Sequence, residues 1–144
     1  MDMITTDHAP HTLEKKTGHR SIFDDASGIP GLETSVPLML DCVNKGRLSL
    51  TRYVQMTSES PAKAWGIYPK KGTIEVGGDA DFTIVDMKTE WKIDPQRFLS
   101  KAKFSPFEGV VVKGAPVYTV VRGNLVMDHG QVNMSSKGEM VRPQ

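Results

Sequence analysis

The sequence has almost no cysteine and no long apolar run. Cys42 is the single cysteine among 144 residues, so no disulfide can form within the chain, and the class of small disulfide-stapled secreted domains is excluded. No apolar stretch approaches the roughly 18 residues that a membrane-spanning helix needs, and the first residues lack the basic start and apolar core of a signal peptide. We therefore expect a cytoplasmic chain that makes no contact with a membrane.

An excess of charge of one sign is also missing. Eighteen lysines and arginines face seventeen aspartates and glutamates, the two signs are interleaved, and the net charge is +1. Without a basic stripe, nucleic acid is not an expected partner. The chain is instead rich in turn formers, with 13 glycines and 9 prolines, and 38% of its residues are hydrophobic. At this length a folded chain buries about 68% of its surface, which is enough for one core.

The first half of the sequence predicts a short strand, a long loop and helices. Ile4, Thr5 and Thr6 favour a strand over Met3–Thr6, and Pro10 prevents its regular continuation. Residues 11–31 are polar and irregular, which is typical of a functional or disordered loop. Apolar spacing, N-caps and closing glycines then predict three helices, at Thr34–Asn44, at Leu50–Met56 after Ser49, and from Ser60 to Gly66.

The second half predicts a small antiparallel sheet, because glycines separate short β-branched segments. The predicted strands are Thr73–Val76, Asp81–Asp86, Glu90–Ile93, Val110–Val112, Val117–Arg122, Asn124–Met127 and Gln131–Asn133. Asp94 is expected to cap one helical turn before Leu99. We divide the chain into a first part over residues 1–68, a β part over 69–134 and a fraying tail over 135–144.

Asp7, His8 and His11 form the best candidate site, because they lie where the predicted strand ends and the loop begins. Aspartate and histidine ligate zinc and are also the commonest proton-transfer groups. The cluster could therefore bind a metal, act as an acid and base, or do both. The same residue types also cap turns in solvated loops, and composition alone does not separate these alternatives.

Several motifs, taken in chain order, resemble the C-terminal third of dihydroorotases, which belong to the metal-dependent cyclic amidohydrolases. The matching segments are Asp7–His11, Ser27–Thr34, Asn44–Ser49, Ser60–Lys63, Lys71–Ile74, Gly78–Asp81, Lys103–Gly109 and Val121–Asn124. The resemblance implies a mixed α/β fold. It consists of the last strand and helices of a (β/α)8 barrel, followed by the C-terminal part of a small β-sandwich, so the barrel is incomplete in this chain.

The resemblance also implies roles for individual residues. Asp7 is expected to ligate zinc and to carry a proton from the metal-bound hydroxide to the leaving amide nitrogen. His11 is expected to bind the substrate's carboxylate, and its presence favours dihydroorotate over other rings. The backbone around Ile29, Pro30 and Gly31 is expected to meet the amide edge of the pyrimidine ring.

Most of the family's metal ligands have no counterpart in this sequence, since they lie on earlier barrel strands. His8, His11, His19 and His129 show no recognised partner spacing. The leading interpretation is therefore a fragment of a zinc-dependent dihydroorotase of pyrimidine biosynthesis, inactive alone, whose exposed barrel edges are covered by self-association or by a partner. The alternatives are a non-catalytic scaffold partner of aspartate transcarbamoylase and a hydrolase of hydantoin or allantoin.

Overall fold

A computed structural model of the protein describes residues 2–18, 20–135 and 137–143, and its α-helices precede an open sheet. The helices are α1 (Leu13–Lys16), α2 (Leu32–Asn44), α3 (Leu50–Val54), a π-helical segment (Gln55–Glu59), α4 (Ser60–Ala64) and a 3₁₀ turn (Pro95–Arg97). The strands are β1 (Phe82–Lys92), β2 (Val111–Val121), β3 (Asn124–Asp128) and β4 (Gln131–Val132). The predicted mixture of helices and strands is thereby confirmed. Within the described ranges no helix is both long and apolar enough to cross a membrane.

Helix α2 begins two residues earlier than the apolar spacing predicts, at Leu32 instead of Thr34. Pro37 consequently lies inside the helix and is buried there. The C-terminal end of α2 is at Asn44, as predicted. Gly46 follows in a left-handed conformation with a φ of 68°, which a glycine adopts at little cost.

Helices α3 and α4 are joined, whereas the sequence predicts two separate helices. Ser49 caps α3 as expected, since its Oγ accepts a hydrogen bond from the Arg52 backbone N–H at 3.2 Å. Ser60 is not an N-cap, because the π-helical segment runs directly into α4. Pro61 has no N–H to offer the carbonyl four residues earlier, which accounts for the widened helical turn before it.

The four strands form one antiparallel sheet in the order β1-β2-β3-β4. The register pairs Phe82 with Val120 and Lys92 with Val111, and irregularities interrupt it after Ile84 and after Asp86. Two pairs of predicted strands are therefore single strands, each of 11 residues. The 3₁₀ turn capped by Asp94, whose carboxylate accepts from the Gln96 backbone N–H at 3.0 Å, is as predicted.

Two predicted strands, Met3–Thr6 and Thr73–Val76, are not strands in the described structure. Residues 3–6 make a single backbone hydrogen bond to a helix, from the Ile4 N–H to the Met56 carbonyl at 3.0 Å. Val76 is fully exposed in an irregular turn. A β-branched segment forms a strand only when another strand pairs with it, and neither segment has such a neighbour here.

Helix α2 packs against β2, and this contact orients the helix. Leu40 is fully buried against Gly114, and the Asn44 side-chain amide donates to the carbonyls of Met87 and Lys113 at 3.1 and 2.8 Å. The adjacent core contains Ile93, Phe98, Val112, Leu38, Trp91 and Phe107. The sheet thereby holds the helix whose first residues face the Asp7 segment.

Candidate active site

Asp7 is exposed and has a left-handed backbone conformation, with a φ of 42°. Aspartate tolerates this region better than most residues, and such conformations concentrate at functional sites. Within the described part of the chain, its carboxylate makes no hydrogen bond or ion pair. The carboxylate is therefore available to a group from outside this chain.

His8 differs from its neighbours in being tied to helix α2. Its Nδ1 accepts the backbone N–H groups of Gly31 and Leu32 at 3.0 and 3.2 Å. Backbone N–H groups can only donate, so Nδ1 is the acceptor in both hydrogen bonds. The first N–H groups of a helix have no partner within it, and His8 supplies one from 23 residues away. Nothing in the local sequence indicates this contact, which differs from the metal-binding or acid–base roles that the residue type alone suggests for His8.

Ala9 anchors the remainder of the segment. The Ala9 N–H donates to the Ile29 carbonyl at 3.0 Å, and the His11 N–H donates to the Ala9 carbonyl at 2.9 Å, which closes a three-residue turn around Pro10. The His11 side chain is exposed and makes no hydrogen bond to any residue that the structure describes. Asp7 and His11 thus present free side chains at the two ends of a segment in which His8 and Ala9 are anchored to the loop.

The loop at residues 28–31 lies directly against the Asp7 segment. A Cβ on Gly28, whose φ is 82°, would stand 2.5 Å from the Cβ of Ala9. A Cβ on Gly31 would stand 3.1 Å from the Thr6 carbonyl oxygen. Both glycines allow a close approach that a side chain would prevent. The structure therefore places the 28–31 loop against Thr6, His8 and Ala9, the residues beside Asp7.

Several backbone groups of this loop are already used within the chain. The Gly31 N–H donates to His8, the Ile29 carbonyl accepts from Ala9, and Pro30 is buried and has no N–H. The Ile29 N–H and the Pro30 carbonyl are left without a hydrogen bond to any described residue, as are the N–H and carbonyl of Gly28. Residues 29–31 therefore have one backbone donor and one backbone acceptor that are not used within the described chain.

The donor set near Asp7 does not fit a zinc site by itself. Among residues 2–18, 20–135 and 137–143, no three His, Cys, Asp or Glu side chains are grouped to hold a metal. His129 lies in the β3–β4 turn beside Asp128, and His19 is outside the described residues. A catalytic zinc ordinarily has three protein ligands, and this chain offers one free carboxylate at the site.

Charged side chains cluster at a second place, far along the chain from Asp7. Lys71 forms ion pairs with Asp79, at 2.8 Å, and with Asp81, which also accepts from the Arg122 N–H at 2.8 Å. Burial opposes the charged form of Lys71, but hydrogen bonds to the two carboxylates outweigh it and raise the lysine's pKa. Nothing in the local sequence indicates this cluster, because its members lie as far apart as Lys71 and Arg122.

Two surface depressions lie away from Asp7. One of about 340 Å³ lies beside β3 and β4, near Arg122 and Glu139, and one of about 250 Å³ lies between α2 and β2, near Asp41 and Lys113. Neither includes a residue of the Asp7–His11 segment or of the 28–31 loop.

Known proteins resemble this chain over most of its length. The chain is 48% identical over 134 residues to L-hydantoinase of Paenarthrobacter aurescens, covering 92% of this chain and 29% of the relative. It is 46% identical over 139 residues to dihydroorotase of Pyrococcus furiosus, covering 96% of this chain and 32% of the relative. The dihydroorotase relatives confirm the resemblance seen in the motifs.

Solved structures agree with these relatives. The L-hydantoinase (dihydropyrimidinase) from Arthrobacter aurescens matches with a TM-score of 0.86 and 48% identity, over 93% of this chain and 30% of the other. A D-hydantoinase from Thermus sp. matches with a TM-score of 0.87 and 34% identity, over 92% and 30%. This chain spans about a third or less of the relatives' length. Residues 1–126 match the amidohydrolase family, and the chain belongs to that family.

Proposed function

We propose that this chain supplies the proton-transfer and substrate-carboxylate groups of a cyclic amidohydrolase that converts dihydroorotate to carbamoyl aspartate and back. The observation that carries the proposal is the Asp7–His11 segment. Two free, exposed side chains of catalytic type lie at the ends of a segment in which His8 and Ala9 are anchored to a neighbouring loop. Such anchoring preorganises a site, which is what catalysis requires of its groups.

Asp7 carries the proton in this proposal. As water adds to the ring carbonyl carbon, one of its protons moves to the Asp7 carboxylate. As the ring C–N bond breaks, the same proton moves from Asp7 to the departing nitrogen. A new C–O bond replaces the C–N bond, and the carboxylate returns to its initial state, as a general base that becomes a general acid must.

His11 and the 28–31 loop hold the ring. The His11 imidazole, which is free of contacts within the described chain, pairs with the substrate's carboxylate. The Ile29 N–H and the Pro30 carbonyl offer one donor and one acceptor, which complements the C=O and N–H of a ring amide. The hydrogen bonds that occupy the Gly31 N–H and the Ile29 carbonyl support the choice of these two groups.

Zinc, the (β/α)8 barrel and the β-sandwich belong to the proposal for the complete site. The family is generally metal-dependent, and Asp7 would be one ligand, with the others supplied by residues outside these 144. The relatives are about three times as long as the matched region, which supports this division of the site. Pyrimidine biosynthesis and a cytoplasmic location are parts of the same proposal.

The test uses the chain alone and the chain fused to the N-terminal two thirds of the Pyrococcus furiosus dihydroorotase. Each protein receives zinc and dihydroorotate, and carbamoyl aspartate is measured. We expect turnover by the fusion that Asp7→Ala abolishes, and little or none by the chain alone. A well-folded fusion that is inactive, or one that ignores Asp7→Ala, overturns the proposal and favours a non-catalytic partner of aspartate transcarbamoylase.

A hydantoin-type ring is the second candidate, because the 48% identical relative is an L-hydantoinase. The same fusion is assayed with a 5-substituted hydantoin that lacks a carboxylate, and with allantoin. Faster hydrolysis of the hydantoin than of dihydroorotate would reverse the order of the two candidates. A matched fusion to the L-hydantoinase N-terminal region controls for the contribution of the donor barrel to substrate choice.

We also propose that a partner surface covers the apolar side chains left open on this chain. Phe23 is 94% exposed, and Ile22, Ile74 and Val76 are exposed to a similar degree. Exposed apolar side chains that lie together mark interaction surfaces or promote aggregation. Sedimentation of the 144-residue chain should show self-association, and sedimentation of the fusion should show less.

A further inference from the structure

We propose that His8 is a positioning residue of the amidohydrolase site, acting through a hydrogen-bond acceptor at Nδ1. The ring holds the start of α2 and the 28–31 loop against the segment that carries Asp7 and His11. The catalytic consequence rests on the proposed function. The positioning itself is a property of this chain and can be measured without any activity.

The geometry requires an acceptor at this position. The N–H groups of Gly31 and Leu32 converge on one ring nitrogen at 3.0 and 3.2 Å. They lie at the start of a 13-residue helix, where N–H groups have no partner inside the helix. The His8 side chain is half-buried, so removing its acceptor would leave two donors poorly paired, which is costly.

His8 is one of two hydrogen-bonded links between the segment and the loop. The second is the hydrogen bond from the Ala9 N–H to the Ile29 carbonyl, at 3.0 Å. Gly28 lies against Ala9 so closely that only a glycine fits. Without His8, one hydrogen bond would hold Ile29 and Pro30 in place. The distance from Asp7 to the backbone groups proposed to bind the substrate's ring would then vary.

Asparagine is the conservative replacement that separates the acceptor from the imidazole. Its Oδ1 is separated from Cα by the same number of bonds as the histidine Nδ1, so His8→Asn retains an acceptor at nearly the same place. His8→Leu has a similar bulk and no acceptor. His129→Asn, in the distant β3–β4 turn, controls for the loss of a histidine elsewhere.

The first experiment is nitrogen-15 NMR of the 144-residue chain. We expect the wild-type His8 ring to be protonated at Nε2 alone, with slow amide exchange at Gly31 and Leu32. His8→Leu should accelerate exchange at these two amides by about tenfold or more, and His8→Asn should restore most of the protection. A wild-type ring protonated at Nδ1, or unprotected Gly31 and Leu32 amides, overturns the proposal even if His8→Leu does not fold.

The second experiment measures the variants in the fusion enzyme. We expect His8→Leu to lower kcat by about 10- to 100-fold and His8→Asn to recover most of it, because misplacement by about 1 Å has costs of this order. Equal activity of the leucine variant and the wild type overturns the catalytic role. An inactive wild-type fusion contradicts the proposed function, while the NMR result still decides the positioning.

Discussion

Single residues in the Asp7–His11 segment divide into those that are anchored and those that are free. His8 and Ala9 bond to the loop at residues 28–31, whereas Asp7 and His11 are exposed. Because the anchored and the free residues are different ones, a functional side chain can be changed without removing a structural contact. Substitutions at Asp7 and His11 can therefore separate function from stability.

Asp7→Asn is the sharpest substitution at the proposed proton carrier. Asparagine favours left-handed conformations as aspartate does, so the free energy of unfolding should change by less than about 0.5 kcal/mol. An amide cannot accept and return the proton, so the activity of the fusion should fall by at least about a hundredfold. Urea unfolding of the chain measures the change in stability, and the hydrolysis assay of the fusion measures the change in activity. Full activity in this variant would contradict the role of Asp7.

His11→Ala tests substrate choice. Loss of a hydrogen bond to a charged group costs about 1.5–3 kcal/mol, so kcat/KM for dihydroorotate should fall by about 10- to 100-fold, mainly through KM. The same parameter for a hydantoin without a carboxylate should hardly change. Parallel kinetics on the two substrates provide the measurement, and an equal loss on both would assign His11 another role.

At the scale of elements, the contact between α2 and β2 determines where the site-bearing loop lies. Asp41 accepts from the Lys113 N–H at 3.2 Å, which adds to the hydrogen bonds of Asn44. The apolar spacing predicts the helix, but its first turn depends on His8, which lies far away in sequence. The merged strands likewise arise from β1–β2 pairing, which continues past a register shift that no local pattern shows.

Gly114→Ala should disrupt the contact between α2 and β2. A Cβ at this position would stand 2.7 Å from the Leu40 Cβ, and the φ of 108° is unfavourable for alanine. We expect a loss of about 2–4 kcal/mol in the free energy of unfolding, from overpacking and backbone strain together. Gly123→Ala is the matched control. It also has a positive φ, but its Cβ would enter open space, so about 1 kcal/mol should be lost. Urea unfolding of both variants measures the difference.

For the whole molecule, the Lys71 cluster joins the start of β1 to the end of β2. Burial raises the pKa of Asp81, but Lys71 and the Arg122 N–H outweigh it, so the pKa is lowered. A lowered carboxyl pKa stabilises the fold above the unfolded value of about 4, and this stability is lost as the pH falls through the folded value. The raised pKa of Lys71 has the opposite sign, so its contribution is lost only as the pH rises above about 10.4.

Lys71→Met should therefore lower the free energy of unfolding at pH 7 by about 1–2 kcal/mol, between the values typical of exposed and of buried ion pairs. It should also reduce the loss of stability below pH 4. Lys63→Met, which removes an exposed pair with Glu59, is the control and should have a smaller effect. Urea unfolding from about pH 3 to 8 tests both. An unchanged acid slope in Lys71→Met would contradict this account.

Unfolding of the whole chain tests the division at residues 68 and 69, which stays a prediction. Leu38 of α2 packs on the core formed by Ile93, Phe98 and Val112, so the helices and the sheet share a core. We expect far-ultraviolet circular dichroism and tryptophan fluorescence to report one coincident transition. Two separate transitions would show that the parts fold independently.

The sequence by itself determined the elements whose signals are local: helix α2, the Ser49 and Asp94 caps, the turns between strands, and the motif order that indicates the amidohydrolase family. Tertiary structure alone decided that His8 caps a helix 23 residues away, that Lys71 pairs with Asp79 and Asp81, and which backbone groups of the 28–31 loop are free. The physical reason is the distance along the chain over which each kind of interaction acts. Propensity, capping and turn chemistry act over a few residues, whereas hydrogen bonds and ion pairs between distant segments exist only once packing has placed their atoms within about 3 Å of each other.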